Sequence, residues 1–144
     1  MTMSSIAFQG DRGSFSEEAA RRFFGVEITP DPKQTFPEVF AAVETGQATH
    51  GVIPVENSLV GSIHQNFDLL SRHNLKIVGE QNQRIVHHLI VCPGVKIEDL
   101  TSILSHPVAL DQCKDFLKKH HRAQAIVEYD TAGSVRLIKE KKMF

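Results

Sequence analysis

Ile6-Ala7-Phe8-Gln9-Gly10-Asp11-Arg12-Gly13-Ser14-Phe15-Ser16-Glu17 reads as a strand, a glycine turn and a capped helix start. The apolar run stops at Gly10, and Gly10-Asp11-Arg12-Gly13 is turn material. Ser14 followed by Glu17 fits a capping box, in which a hydroxyl and a carboxylate satisfy free N–H groups at a helix start. A helix should then run through Glu18 to Phe24 and end at Gly25.

The unit recurs along the chain. Val26 to Thr29 is a short strand ahead of Pro30-Asp31-Pro32, and Thr35-Phe36-Pro37-Glu38 is a second capping box. Phe36, Val39, Phe40 and Val43 fall on one helical face, and the helix should close near Gly46. Gly51-Val52-Ile53-Pro54-Val55 is a third strand, which its proline assigns to an edge or a strand end. The spacing predicts a helix within residues 62–71, strands over 75–78 and 84–92, and a brief strand at Ile103-Leu104. Beyond these it predicts a helix from about His106 to His120, a strand at Ala125-Ile126-Val127 and a helix over 131–142. Alternating strands and helices imply an α/β fold with largely parallel pairing.

Composition narrows the function classes. The chain has 144 residues, 41% of them hydrophobic, enough for one domain with its own core. A net charge of −1 argues against non-specific nucleic-acid binding, which needs a basic field. No run approaches the length of a membrane span, and Met1-Thr2-Met3-Ser4-Ser5 does not open a signal peptide, so a cytoplasmic location is expected. Cys92 and Cys113 stand in no CxxC pattern and read as reduced thiols. His87-His88 and His120-His121 are adjacent pairs; strand neighbours point to opposite faces, and no HxxxH spacing occurs, so no metal site is expected.

In parallel α/β folds, ligands bind at the carboxyl ends of strands, near helix N-termini. Four junctions qualify: residues 10–16, 55–62, 105–107 and 130–134, all rich in Ser, Thr, Asn or Gly. The first offers N–H groups, the Ser14 and Ser16 hydroxyls and a helix dipole, which suit an anion. It matches neither a Walker nor a GxGxxG pattern. Glu56-Asn57-Ser58 ends a strand with three polar side chains, with Gly61 nearby to permit close approach. Ser105 is a natural N-cap, His106 could titrate near neutrality, and Gln112 lies two turns on from Ser105 and can share its face. Thr131 opens the fourth junction. Ordinary helix capping would show the same residues, so these features alone reach only a small polar or anionic ligand.

Taken together and in order, the segments resemble the prephenate dehydratase family. The likeness is carried by Ile6–Gly10 with Gly13-Ser14-Phe15-Ser16, by Gly51–Ser58 with Gly61, and by Gly79-Glu80 with Ile85-Val86-His87-His88-Leu89. Ser105-His106-Pro107-Val108-Ala109-Leu110-Asp111-Gln112-Cys113 and Asp130-Thr131-Ala132 complete it. The resemblance implies two Rossmann-like lobes similar to type II periplasmic binding proteins, about residues 4–78 and 79–144, with the active site in the cleft between them. It implies the conversion of prephenate to phenylpyruvate, with loss of water and carbon dioxide, in phenylalanine biosynthesis, without cofactor or metal.

By that resemblance Asn57, Ser105 and Gln112 are the expected catalytic residues. Ser14, Ser16, Glu56, Ser58, His106 and Thr131 are expected to bind substrate, Ser14 standing where the family usually has Thr. The family continues with a strand reading roughly Ala-Ala-Ile-Ala-Ser and a later Thr-Arg-Phe motif whose Thr is regarded as the key hydroxyl. This sequence stops at Lys142-Met143-Phe144, ahead of both and of the regulatory ACT domain, so an incomplete second lobe and weak or absent turnover are expected. Self-association would cover the apolar surface so exposed. Two rivals stand beside this reading: a non-catalytic module binding a small carboxylate, and an arogenate dehydratase.

Overall fold

Three consecutive residues without solvent exposure, Ile6, Ala7 and Phe8, place β1 (Ser5–Gln9) at the centre of a sheet covered on both faces. The computed structural model describes residues 4–141 and divides into two units between Arg84 and Ile85.

In the first unit, β2 (Thr29–Lys33) and β3 (His50–Val52) both pair parallel to β1, in the order β2-β1-β3. Successive strand residues point to opposite faces. On one face Ile6 packs with Ala20, Ile28 and Phe24; on the other Ala7 packs with Val39, Ala42, Ala48 and Val43. Helix α1 (Phe15–Phe24) therefore covers one side and α2 (Phe36–Glu44) the other. Gly51 makes the second contact close: a Cβ there would stand 3.0 Å from Val39 Cγ1 and 3.2 Å from Val43 Cγ2. After β3, a small antiparallel pair, β4 (Glu56–Asn57) with β5 (Gly61–Ser62), leads into α3 (His64–Arg72).

The second strand corrects the expected register. It forms over Thr-Pro-Asp-Pro-Lys rather than over residues 26–29. Proline is tolerated there because β2 is the edge strand. The Thr29 N–H donates to Ser4 O toward β1, so Pro30 and Pro32, of opposite parity, turn their N–H-less nitrogens away from the sheet. The expected third strand is likewise cut to His50–Val52, ending before Pro54. Of the two capping boxes, only Thr35–Glu38 forms in full. Ser14 accepts from Glu17 N, but the Glu17 carboxylate reaches Gly13 N rather than Ser14 N.

The second unit pairs β6 (Ser102–Ser105) parallel to β7 (Gln124–Val127). Between them, the single helix expected over 106–120 is broken at Cys113 into α4 (Pro107–Gln112) and α5 (Lys114–Lys119). Helix α6 (Thr131–Lys141) follows β7; Lys142, the expected last residue of that helix, lies outside the described residues.

Neither residues 75–78 nor 84–92 pair as strands among the described residues. Their apolar side chains remain open, Ile77 at 75% and Ile90 at 51% exposure. A β-pattern makes a strand only where a neighbour takes up its N–H and C=O groups. With no strand at 84–92, the opposite-face argument for His87 and His88 lapses. Among the described residues no helix is long and apolar enough to cross a membrane.

Candidate functional site

Parallel pairing sends the segments after β1 and β3 out at the same end of the sheet, the carboxyl end. Ser14 caps α1 there, and Ser16 is the second residue of that helix. Ser14 Oγ accepts from Glu17 N at 3.3 Å, which leaves its O–H as the group to be shared. The Gly10 (φ +109) and Gly13 (φ +84) backbones take conformations that favour glycine.

After β3 the chain makes the β4–β5 turn. Asn57 Oδ1 accepts from Leu59 N at 2.9 Å and Val60 N at 3.2 Å, an Asx arrangement that commits its oxygen and leaves the amide Nδ2 to donate. Glu56 and Ser58 flank it and are exposed. The turn is fastened from below by Asn66 of α3, fully buried, whose Nδ2 donates to Pro54 O at 2.7 Å, and by Ile63 N donating to Val55 O at 2.9 Å. Asn66 Oδ1 is buried without a hydrogen-bond partner among the described residues.

In the second unit β6 and β7 are parallel, so residues 105–107 and 130–134 leave at the same end of that pair. Ser105 ends β6 and is not a cap; the cap is His106, whose Nδ1 accepts from Val108 N at 3.2 Å. Pro107 is the cause, because the residue before proline is held extended, here at φ −62, ψ 144. The expectation that Ser105 and Gln112 share a helical face therefore lapses, since Ser105 lies on a strand. A His106 ring that accepts at Nδ1 is neutral and carries its proton on Nε2. Gln112 closes α4, and its Oε1 stands 2.6 Å from His87 Nε2. Thr131 is the first residue of α6; Asp130 ahead of it accepts from Gly133 N, and Ser134 Oγ donates to Asp130 O at 2.8 Å.

One chemical theme runs through these positions. Ser14 Oγ, Asn57 Oδ1, His106 Nδ1 and Gln112 Oε1 each already accept a hydrogen bond from the protein. Each also carries an N–H or O–H that can donate. Such side chains suit a ligand rich in acceptors, above all a carboxylate. Among the described residues, no group of three or more His, Cys, Asp or Glu is placed to hold a metal ion.

The family model for prephenate dehydratase matches residues 6–143. The chain belongs to the prephenate dehydratase family. A family relative, "Arogenate dehydratase/prephenate dehydratase 2, chloroplastic" of Arabidopsis thaliana, is 46% identical over 133 residues, covering 92% of this chain and 34% of that protein. Among solved structures, one titled "GqqA- a novel type of quorum quenching acylases" shares 38% identity with a TM-score of 0.82, over 96% of this chain and 50% of that one. The prephenate dehydratase of Arthrobacter aurescens, solved in complex with L-Phe, shares 25% identity with a TM-score of 0.72, over 92% of this chain and 45% of that one. The chain thus spans about a third of the curated family relatives it matches.

Two contributors escaped the sequence reading. His87 was weighed only as a metal ligand, although it lies inside the Ile85–Leu89 segment that carries the family likeness. Asn66 sits in a helix with ordinary amphipathic spacing, and nothing in the sequence marks it as the clamp on Pro54.

Proposed function

We propose that this chain binds prephenate and takes part in its decarboxylative dehydration to phenylpyruvate, a step of phenylalanine biosynthesis. The observation that carries the reading is the donor set: Ser14, Asn57, His106 and Gln112 each accept a hydrogen bond within the protein and keep an N–H or O–H to donate. Prephenate is a dicarboxylate whose ring becomes aromatic as the C4 hydroxyl and the ring carboxylate depart together. Neutral donors orient such a substrate and stabilise a leaving hydroxyl. Full positive charges on the departing carboxylate would instead oppose loss of carbon dioxide. In this reading Ser14 and Ser16, at the start of α1, hold a carboxylate. Asn57, Ser105 and Gln112 are the catalytic residues of this reading, and Glu56, Ser58, His106 and Thr131 bind substrate.

The two-lobed architecture similar to periplasmic binding proteins is part of the proposal, supported by the likeness to the Arthrobacter enzyme. The name of the Arabidopsis relative supports arogenate as an alternative substrate of the same chemistry. The test is turnover by the purified chain, following phenylpyruvate from prephenate and phenylalanine from arogenate. Formation of either product carries the dehydratase reading and selects the substrate. Tight binding of prephenate without product would favour a binding module instead. The likeness to the quorum-quenching acylase supports a second reading, amide cleavage of an acylated signal, which acyl-acid release in place of either product would favour.

A further inference from the structure

We infer that His87 is a positioning residue that sets the orientation of the Gln112 side-chain amide, an inference that rests on Gln112 serving as a donor in the proposed reaction. A glutamine amide can turn its oxygen or its nitrogen toward a ligand, and the two faces have opposite effects on a carboxylate. The nitrogen attracts it and the carbonyl repels it. His87 Nε2 lies 2.6 Å from Gln112 Oε1, across 25 residues of chain. A carbonyl oxygen can only accept, so the ring nitrogen must donate: His87 carries a proton on Nε2, as the neutral tautomer or as the imidazolium. That bond holds the oxygen on the ring and leaves Gln112 Nε2 to donate elsewhere. Rotating the amide by half a turn would set two N–H groups against the ring N–H and lose the bond.

The location adds to the argument. Gln112 is the last residue of α4, where the helix breaks at Cys113. His87 comes from a segment that makes no ladder among the described residues, yet it is less exposed than His88 beside it.

Two measurements on the purified 144-residue chain decide the matter. The first is an NMR titration of His87 in wild type and in Gln112→Glu. A carboxylate at position 112 is expected to raise the His87 titration midpoint by about one unit or more, as an opposite charge in hydrogen-bond contact does. An unchanged midpoint overturns the inference. The second is kcat/KM for His87→Ala and His87→Gln, each checked for an unaltered fold by circular dichroism. His87→Ala is expected to lose about tenfold, the worth of one oriented hydrogen bond, and His87→Gln to recover most of it by offering an amide N–H to the same oxygen. A His87→Gln variant as weak as His87→Ala overturns the positioning role. If wild type turns over neither prephenate nor arogenate, the dehydratase reading fails, and the titration alone decides whether His87 holds Gln112.

Discussion

Arg21 grips Glu17 with two donors, Nε at 2.9 Å and Nη2 at 2.7 Å, while the same carboxylate takes the Gly13 N–H at 2.8 Å. One buried side chain thereby ties the turn after β1 to the body of α1. Burial alone would push the Glu17 carboxyl up. The Gly13 N–H, the Arg21 guanidinium and the nearby charge of Arg12 outweigh it and hold the group below its ordinary value of 4.5. A carboxyl depressed in the folded state adds stability above its unfolded value and loses it as pH falls through the folded value. Urea midpoints are therefore expected to drop as pH is lowered from 4.5, with a shallower fall in Glu17→Gln. That variant should also be less stable near neutrality by roughly 1–2 kcal/mol. Acid limbs of equal slope in the two proteins would show that the pair contributes nothing.

Asn57 separates two jobs within one side chain. Asn57→Asp keeps an acceptor for Leu59 N and Val60 N, so the turn should survive, but it removes the outward donor and adds a negative charge. Turnover is expected to fall by about 100-fold or more with little change in melting temperature. Asn57→Ala should lose both activity and some stability. Assay and thermal melt of the pair together distinguish a catalytic donor from a turn residue.

The Asn66 clamp is a stability prediction. Asn66→Ala leaves the Pro54 carbonyl without its donor and a small cavity in α3, expected to cost roughly 2–3 kcal/mol by urea unfolding. Asn66→Asp should be worse than Asn66→Ala, since a carboxylate would face that carbonyl. The reverse order would mean that the Nδ2–Pro54 contact is not what holds the turn.

Gly51→Ala tests the closeness of β3 and α2. Its Cβ would press on Val39 and Val43, and the expected loss is about 1–2 kcal/mol. Adding Val43→Ala should restore part of it by making room. Two independent, additive losses in the double variant would argue against a shared contact.

Local chemistry made much of this legible before any coordinates. Ser14 and Thr35 cap their helices as the sequence implies, because a hydroxyl one residue ahead of a helix has an N–H to satisfy wherever the chain goes next. The failures are non-local. Ile85-Val86 and Leu89-Ile90-Val91 have the composition of a strand, but composition cannot supply a neighbour to pair with. Pro107 was visible, yet its consequence, moving the cap from Ser105 to His106, needs the geometry of the preceding residue to be weighed against the hydroxyl. The donor theme was hidden for the same reason: that the oxygen of Asn57 or Gln112 is engaged depends on contacts with Leu59, Val60 and His87.

The two prolines of β2 have a consequence beyond the shape of this sheet. With Pro30 and Pro32 facing outward, the rim there offers carbonyls but almost no N–H groups, so an incoming strand would find half its ladder missing. Growth of the sheet on that side is disfavoured, whether by a stray peptide, a second copy or a nascent fibril. Any strand grafted onto this sheet in an engineered version would have to be added beside β3.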